Sequence, residues 1–158
     1  LLGAVFSTLF AGALADWFGR KTMMIAAGLL FVLGVPIIAS SHSYGMLITG
    51  RLLQGISGGM IGVVVPLYLA ECLAAWNRGK GTGIFQWLLT LGIVAAAVIA
   101  YFFSLKVADM EKLHDAAKLF ALKDSAWRYI FWVSLPPGIL FVLGSLYVAE
   151  SARWWCRK

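Results

Sequence analysis

Charge is scarce in this sequence. Of its 158 residues, 13% are Asp, Glu, Lys or Arg, 61% are hydrophobic, and the mean hydropathy is +0.87. A soluble core of this length does not need so much apolar content, so the composition points to an integral membrane protein with the lipid bilayer as its solvent. Cysteine is nearly absent: Cys72 and Cys156 both fall near expected cytoplasmic helix ends, which argues against a disulfide. The two histidines, His42 and His114, read as surface residues. There is no metal-ligand cluster, nucleophile–histidine pair or phosphate loop, so neither enzymatic activity nor a metal or cofactor is expected. The net charge of +6 comes from basic residues at helix ends rather than on one face, which excludes a nucleic-acid partner. A basic leader is also missing. The chain starts at Leu1, already apolar and without Met, and reads as a fragment of a longer protein that begins in mid-helix.

What is present is a series of apolar runs. Spans are expected over residues 1–17, 23–40, 45–76, 82–103 and 129–149, each near or above the ~18 residues needed to cross a bilayer except the first. Pro36 falls inside the second as an expected kink, and Pro136-Pro137-Gly138 in the middle of the fifth. Residues 104–126 are the one long stretch that does not span. Val107, Met110, Leu113, Ala117 and Phe120 recur there at helical spacing with charges between them, as in a short amphipathic helix on the outer surface or a solvated linker. Arg20, Lys21, Arg78, Lys80, Arg153, Arg157 and Lys158 fall on one side with few acids, which marks that side as cytoplasmic. Trp76, Trp127, Trp154 and Trp155 sit at span ends, as an aromatic belt would.

The chain is organised around the stretch from Gly50 to Lys80. Arg51 sits inside an apolar run, and the next carboxylate, Glu71, follows twenty positions later. At ~1.5 Å per residue that gap is about 30 Å, the thickness of the hydrocarbon layer. A guanidinium at that depth costs about 2.5–3.5 kcal/mol on insertion scales unless it meets a partner or water. Arg51 is therefore a candidate functional residue, against the plainer reading of an arginine that snorkels to the interface. Gly50, Gly55, Gly58, Gly59 and Gly62 crowd the same run. Both Gly55/Gly59 and Gly58/Gly62 are expected on one face, where small residues let helix backbones approach closely.

A second constellation is expected at the cytoplasmic ends of the spans. Arg78 and Lys80 open the fourth span, where the helix dipole disfavours cations, so Glu71 and Glu150 are expected to offset them. Arg153 follows Glu150 by three residues, close enough to pair on a helical end. The expectation is one cluster of Asp16, Arg20, Glu71, Arg78, Glu150 and Arg153, against a set of independent solvated charges. Exposed pairs are worth roughly 0–1 kcal/mol each, so such a cluster would matter as a latch between moving parts.

These residues resemble the sugar porter family of the major facilitator superfamily. Gly12-x3-Asp16-x2-Gly19-Arg20-Lys21 is similar to the superfamily's loop signature between helices two and three. Gly50-Arg51, Pro66-x-Tyr68-x-Ala70-Glu71 and Arg78-Gly79 resemble helix four and its following loop. Trp127-Arg128 resembles the start of helix six, and Glu150-Ser151-x-Arg153-Trp154 the signature after it. Ala74, Ala149 and Ala152 stand where the family has prolines, and Trp17 where a basic residue is usual.

The resemblance implies an all-α membrane fold, part of the N-terminal six-helix half of such a transporter, covering helices two to six. It implies alternating-access transport of a monosaccharide with no cofactor. Gln86, eight residues after Arg78, would be the sugar-binding glutamine of helix five; a plain interhelical polar contact is its other reading. Ile93 stands where a xylose-transporting member has a second glutamine, which weakens xylose as the substrate. Arg51 would pair with an aspartate on helix one and couple a proton to sugar movement. Helix one and the C-terminal half would be the partners within the same transporter, in the plasma membrane or a bacterial inner membrane. A uniporter, a polyol or organic-acid porter and a non-transporting sugar sensor stay open at this point.

Overall fold

The computed structural model describes residues 2–111 and 116–151, with side chains for 3–105 and 123–151. Arg153, Trp154, Trp155, Cys156, His114 and the apolar stripe from Val107 to Phe120 therefore lie outside the described residues or side chains. All regular structure among the described residues is helical: α1 (Leu2–Phe18), α2 (Arg20–Ala39), α3 (Tyr44–Cys72), α4 (Arg78–Glu111), α5 (Ala116–Val133) and α6 (Leu135–Tyr147).

Local sequence explains where these helices stop. Gly19 separates α1 from α2 at φ 92° and ψ 152°, a backbone region open only to glycine. Leu73 ends α3 in an extended conformation, and a tight turn through Ala74 to Asn77 leads into α4. Between Ile93 and Leu135 there is neither glycine nor proline. Accordingly α4 continues past Phe103 to Glu111, and α5 starts at Ala116, inside the stretch read as an outer amphipathic helix or a solvated linker. That stretch is divided between the end of one spanning helix and the start of the next. The last span is interrupted just before its paired prolines: the N–H of Ser134 bonds the carbonyl of Phe131 at 3.0 Å, and Pro136 and Pro137, lacking N–H groups, open α6 instead of continuing α5.

α3 is the centre of the packing, with α1 and α2 against it and α5–α6 on the far side of α2. Ala11, Ala15, Met23, Met24, Ala27, Met60 and Val64 form the buried core between α1, α2 and α3. Small residues make the approach close. A Cβ on Gly55 would lie 3.3 Å from the Ala4 nitrogen, and one on Gly59 2.7 Å from the Ala4 carbonyl oxygen and against the Ser7 hydroxyl. Gly58 and Gly62 meet nothing within 4 Å. The two glycine pairs thus differ from expectation: one is spent on α1, and the other lies open on an adjoining face, because three residues turn a helix by 300°.

Candidate functional site

The turn at Gly19 makes Arg20 the first residue of α2 and aims it back toward α1 and α3. Its guanidinium donates to Asp16 Oδ1 at 2.6 Å, to Glu71 Oε1 at 2.8 Å and to the Ala15 carbonyl at 2.9 Å. Arg20 and Glu71 keep only 4% and 6% of their side-chain surface exposed, whereas Asp16 keeps 48%. The Arg20–Glu71 pair is therefore a desolvated ion pair at the helix ends, and Asp16 is its solvated flank. Two charge-assisted bonds and the carbonyl satisfy most of the guanidinium; Nε alone among its nitrogens is buried without a partner.

The segment after α6 completes the cluster. Ser151 Oγ donates to Glu71 Oε2 at 2.8 Å, and the Tyr68 hydroxyl donates to the Ala149 carbonyl at 2.8 Å. Glu150 does something the sequence reading missed. Its Oε1 accepts the backbone N–H groups of Arg20 at 2.8 Å and Lys21 at 3.0 Å. It caps the N-terminus of α2 from the segment after α6, where unsatisfied N–H groups and the helix dipole favour an anion. Sequence reasoning sought a cation for Glu150, but this carboxylate is taken by backbone.

The remaining cluster candidates fall apart from it. Arg78 is exposed, and its Nε donates to the Leu73 carbonyl at 3.3 Å; among the described residues it reaches neither Glu71 nor Glu150. The turn from Ala74 to Asn77 carries it away. Arg153 lies outside the described residues. Of the loop signature, Gly19 supplies the turn and Lys21 a backbone donor, while a Cβ on Gly12 would meet nothing within 4 Å.

The other end of α2 is also held by a side chain from the last span. Arg128 donates to the carbonyls of Ala39 at 2.5 Å and Ser41 at 3.0 Å and is fixed by Asp124 at 3.1 Å. Opposite charges therefore cap opposite ends of α2, each with the sign its dipole favours. One turn further along α5, the ring of Phe131 lies 4.8 Å from the Arg51 guanidinium carbon.

Gln86 stands apart, exposed on α4. With Trp87 and Thr90 it lines an open recess of about 190 Å³, and Thr90 Oγ1 donates to the Gln86 carbonyl at 2.9 Å, leaving the hydroxyl oxygen able to accept. The recess offers amide, hydroxyl and aromatic groups together, a combination suited to a polyhydroxylated ligand.

Comparison with known proteins agrees with this architecture. The glucose transporter GlcP of Staphylococcus epidermidis is 30% identical over 98% of this chain and 30% of its own length. The arabinose-proton symporter of Escherichia coli is 33% identical over 100% of this chain and 30% of its own length. The partially occluded inward-open structure of the xylose transporter XylE from E. coli superposes with a TM-score of 0.80 at 22% identity, over 98% of this chain and 38% of XylE, which establishes the fold. The chain thus spans about a third of the length of these relatives. Among the described residues, four helical spans are long and apolar enough to cross a membrane, as in an integral multi-pass protein. The sequence model described as "Sugar (and other) transporter" matches residues 1–158, and the chain belongs to that family of membrane transporters.

Proposed function

We propose that the whole protein moves a monosaccharide across the plasma membrane by alternating access, coupled to a proton, and that this chain supplies part of its N-terminal half. The observation that carries the reading is the desolvated Arg20–Glu71 pair, tied by Ser151 to the end of the last span at one membrane rim. A buried ion pair is a poor source of net stability but costs a great deal to break by halves, which suits a contact that reports one conformation. Asp16, Arg20, Glu71 and Glu150 act as the cytoplasmic latch, with Arg78 and Arg153 joining when the second half docks. Gln86 binds sugar hydroxyls from the open face of α4. Arg51 serves proton coupling, and the names of the arabinose-proton and glucose relatives fit a sugar and a proton as cargo.

The test is uptake of labelled glucose, xylose and galactose by the full-length protein in cells lacking their own porters, with and without a protonophore. Accumulation that the protonophore abolishes, and that Arg51→Ala also abolishes, is the expected result. Protonophore-insensitive equilibration would replace symport with uniport. No uptake of any of the three by protein seated in the membrane would overturn the sugar reading. Glu71→Gln is expected to slow transport more than it weakens sugar binding; equal loss of both would remove the latch role.

A further inference from the structure

Arg51 is exposed on α3 within an apolar span, and no carboxylate among the described residues reaches it. What it meets is a ring. Its guanidinium carbon lies 4.8 Å from the centroid of Phe131 on α5. That distance is within the range at which a ring face attracts a cation, and the attraction strengthens where water is excluded.

The ring is held in place. Trp127, one turn earlier on the same face, meets Phe131 edge to face at 6.0 Å and 82°. Trp127 is fixed by its Nε1 donating to Asp124 at 3.0 Å and by the Arg128 guanidinium 4.8 Å over its ring. Arg128 is anchored in turn on the carbonyls of Ala39, the last residue of α2, and Ser41, just beyond it. A continuous stack thus runs from the end of α2 through Arg128, Trp127 and Phe131 to Arg51. An isolated surface contact would not need such backing.

We propose that Phe131 is the seat of the Arg51 guanidinium, a positioning residue that holds this cation at a set depth without neutralising it. An aromatic seat stabilises the charged form and lets go without a proton transfer, so the guanidinium can exchange between the ring and an acidic partner. A carboxylate in the same place would let go only on taking up a proton. The inference rests on the coupling role proposed for Arg51 above.

The test uses the full-length protein with Phe131→Leu, which keeps apolar bulk and removes the ring face, and Phe131→Trp, which keeps the face. Proton-driven accumulation is measured beside sugar exchange in counterflow, which needs no net proton movement. Phe131→Leu should lower accumulation about fivefold while counterflow stays within about twofold, and Phe131→Trp should restore accumulation. Equal loss of both activities, or no rescue by Trp, would overturn the proposal. If the unaltered protein accumulates no sugar, the coupling reading itself fails. The seat is then decided by apparent Tm in detergent for Arg51→Ala, Phe131→Leu and the double variant. A double-variant loss clearly smaller than the sum supports the contact, and additive losses remove it.

Discussion

α2 and α4 have the same mean hydropathy over their apolar windows, 2.3, yet 44% of the α2 window is buried and none of the α4 window is. Both are good bilayer helices, but one is an inner strut and the other is open on nearly every side. The difference lies in what the side chains allow neighbours to do. α2 carries Gly28 and Gly34, where a Cβ would lie 2.6 Å from Val142 and 3.4 Å from the Gly50 carbonyl, so neighbouring helices sit tight against it. Both its ends are capped by charged side chains, Arg128 of α5 and Glu150 of the segment after α6. Of the α4 glycines, 79, 83 and 92 meet nothing within 4 Å and Gly81 meets the Leu73 side chain at the helix start, and the recess beside Gln86 is open. Apolarity moves a helix into the membrane; small residues and capped ends decide whether it is packed there.

That contrast can be broken at several points, and the largest effect is expected where backbone meets backbone. Gly59→Val would drive a methyl into the Ala4 carbonyl, so a loss of about 3 kcal/mol or outright misfolding is expected, read as lost monodisperse protein in detergent. Gly92→Val on α4 should leave the elution profile unchanged. Comparable damage from both would mean that α4 is packed as closely as the α1–α3 seam.

Arg20→Ala comes close behind. It strands the buried Glu71 carboxylate and is expected to cost about 3 kcal/mol, measured by thermal unfolding. Lys80→Ala, an exposed cation at the start of α4, should stay within about 0.5 kcal/mol. A smaller gap would mean that the rim cluster is solvated after all.

Glu150→Gln sharpens the picture of α2. The amide oxygen can still accept from the first-turn N–H groups but loses the charge that suits the dipole, so about 1 kcal/mol is expected. A much larger loss would show that Glu150 also pairs with a cation.

Gln86→Ala should be the mildest for stability, within about 0.5 kcal/mol, because its residue is exposed on α4. Its effect belongs to function: apparent sugar affinity of the whole protein should fall about tenfold, roughly 1.4 kcal/mol, in a competition binding assay. Unchanged affinity would move the sugar site off α4.

Much of this was legible in the chain. Asp16, Arg20 and Glu71 were grouped from their positions at apolar-run ends, and the structure brings them together. Arg78 was grouped with them on the same reasoning, and the structure leaves it at the surface. Charge position along a run shows which end of a helix a residue occupies but not which way it points. The role of Glu150 was hidden for a different reason, since its partners are backbone N–H groups that carry no letter in the sequence. Nothing near Arg128 in the sequence points to its carbonyl partners at the end of α2, which lie nearly ninety positions away.

The sequence by itself determined that the chain is a set of membrane helices, that one gives way to the next at Gly19, and that Asp16, Arg20 and Glu71 sit near helix ends. Those properties follow from local composition, because hydrophobicity, the glycine at position 19 and the paired prolines act on their own neighbours. Only the tertiary structure decided which helices are struts and which are open, which glycine pair is spent on packing, and that α5 and the segment after α6 clamp α2 at its two ends. Those outcomes depend on the relative rotation and depth of helices far apart in the chain. In a bilayer, where every run is apolar enough to satisfy the solvent, hydropathy does not choose among the arrangements; close backbone contact and a few desolvated polar bonds do.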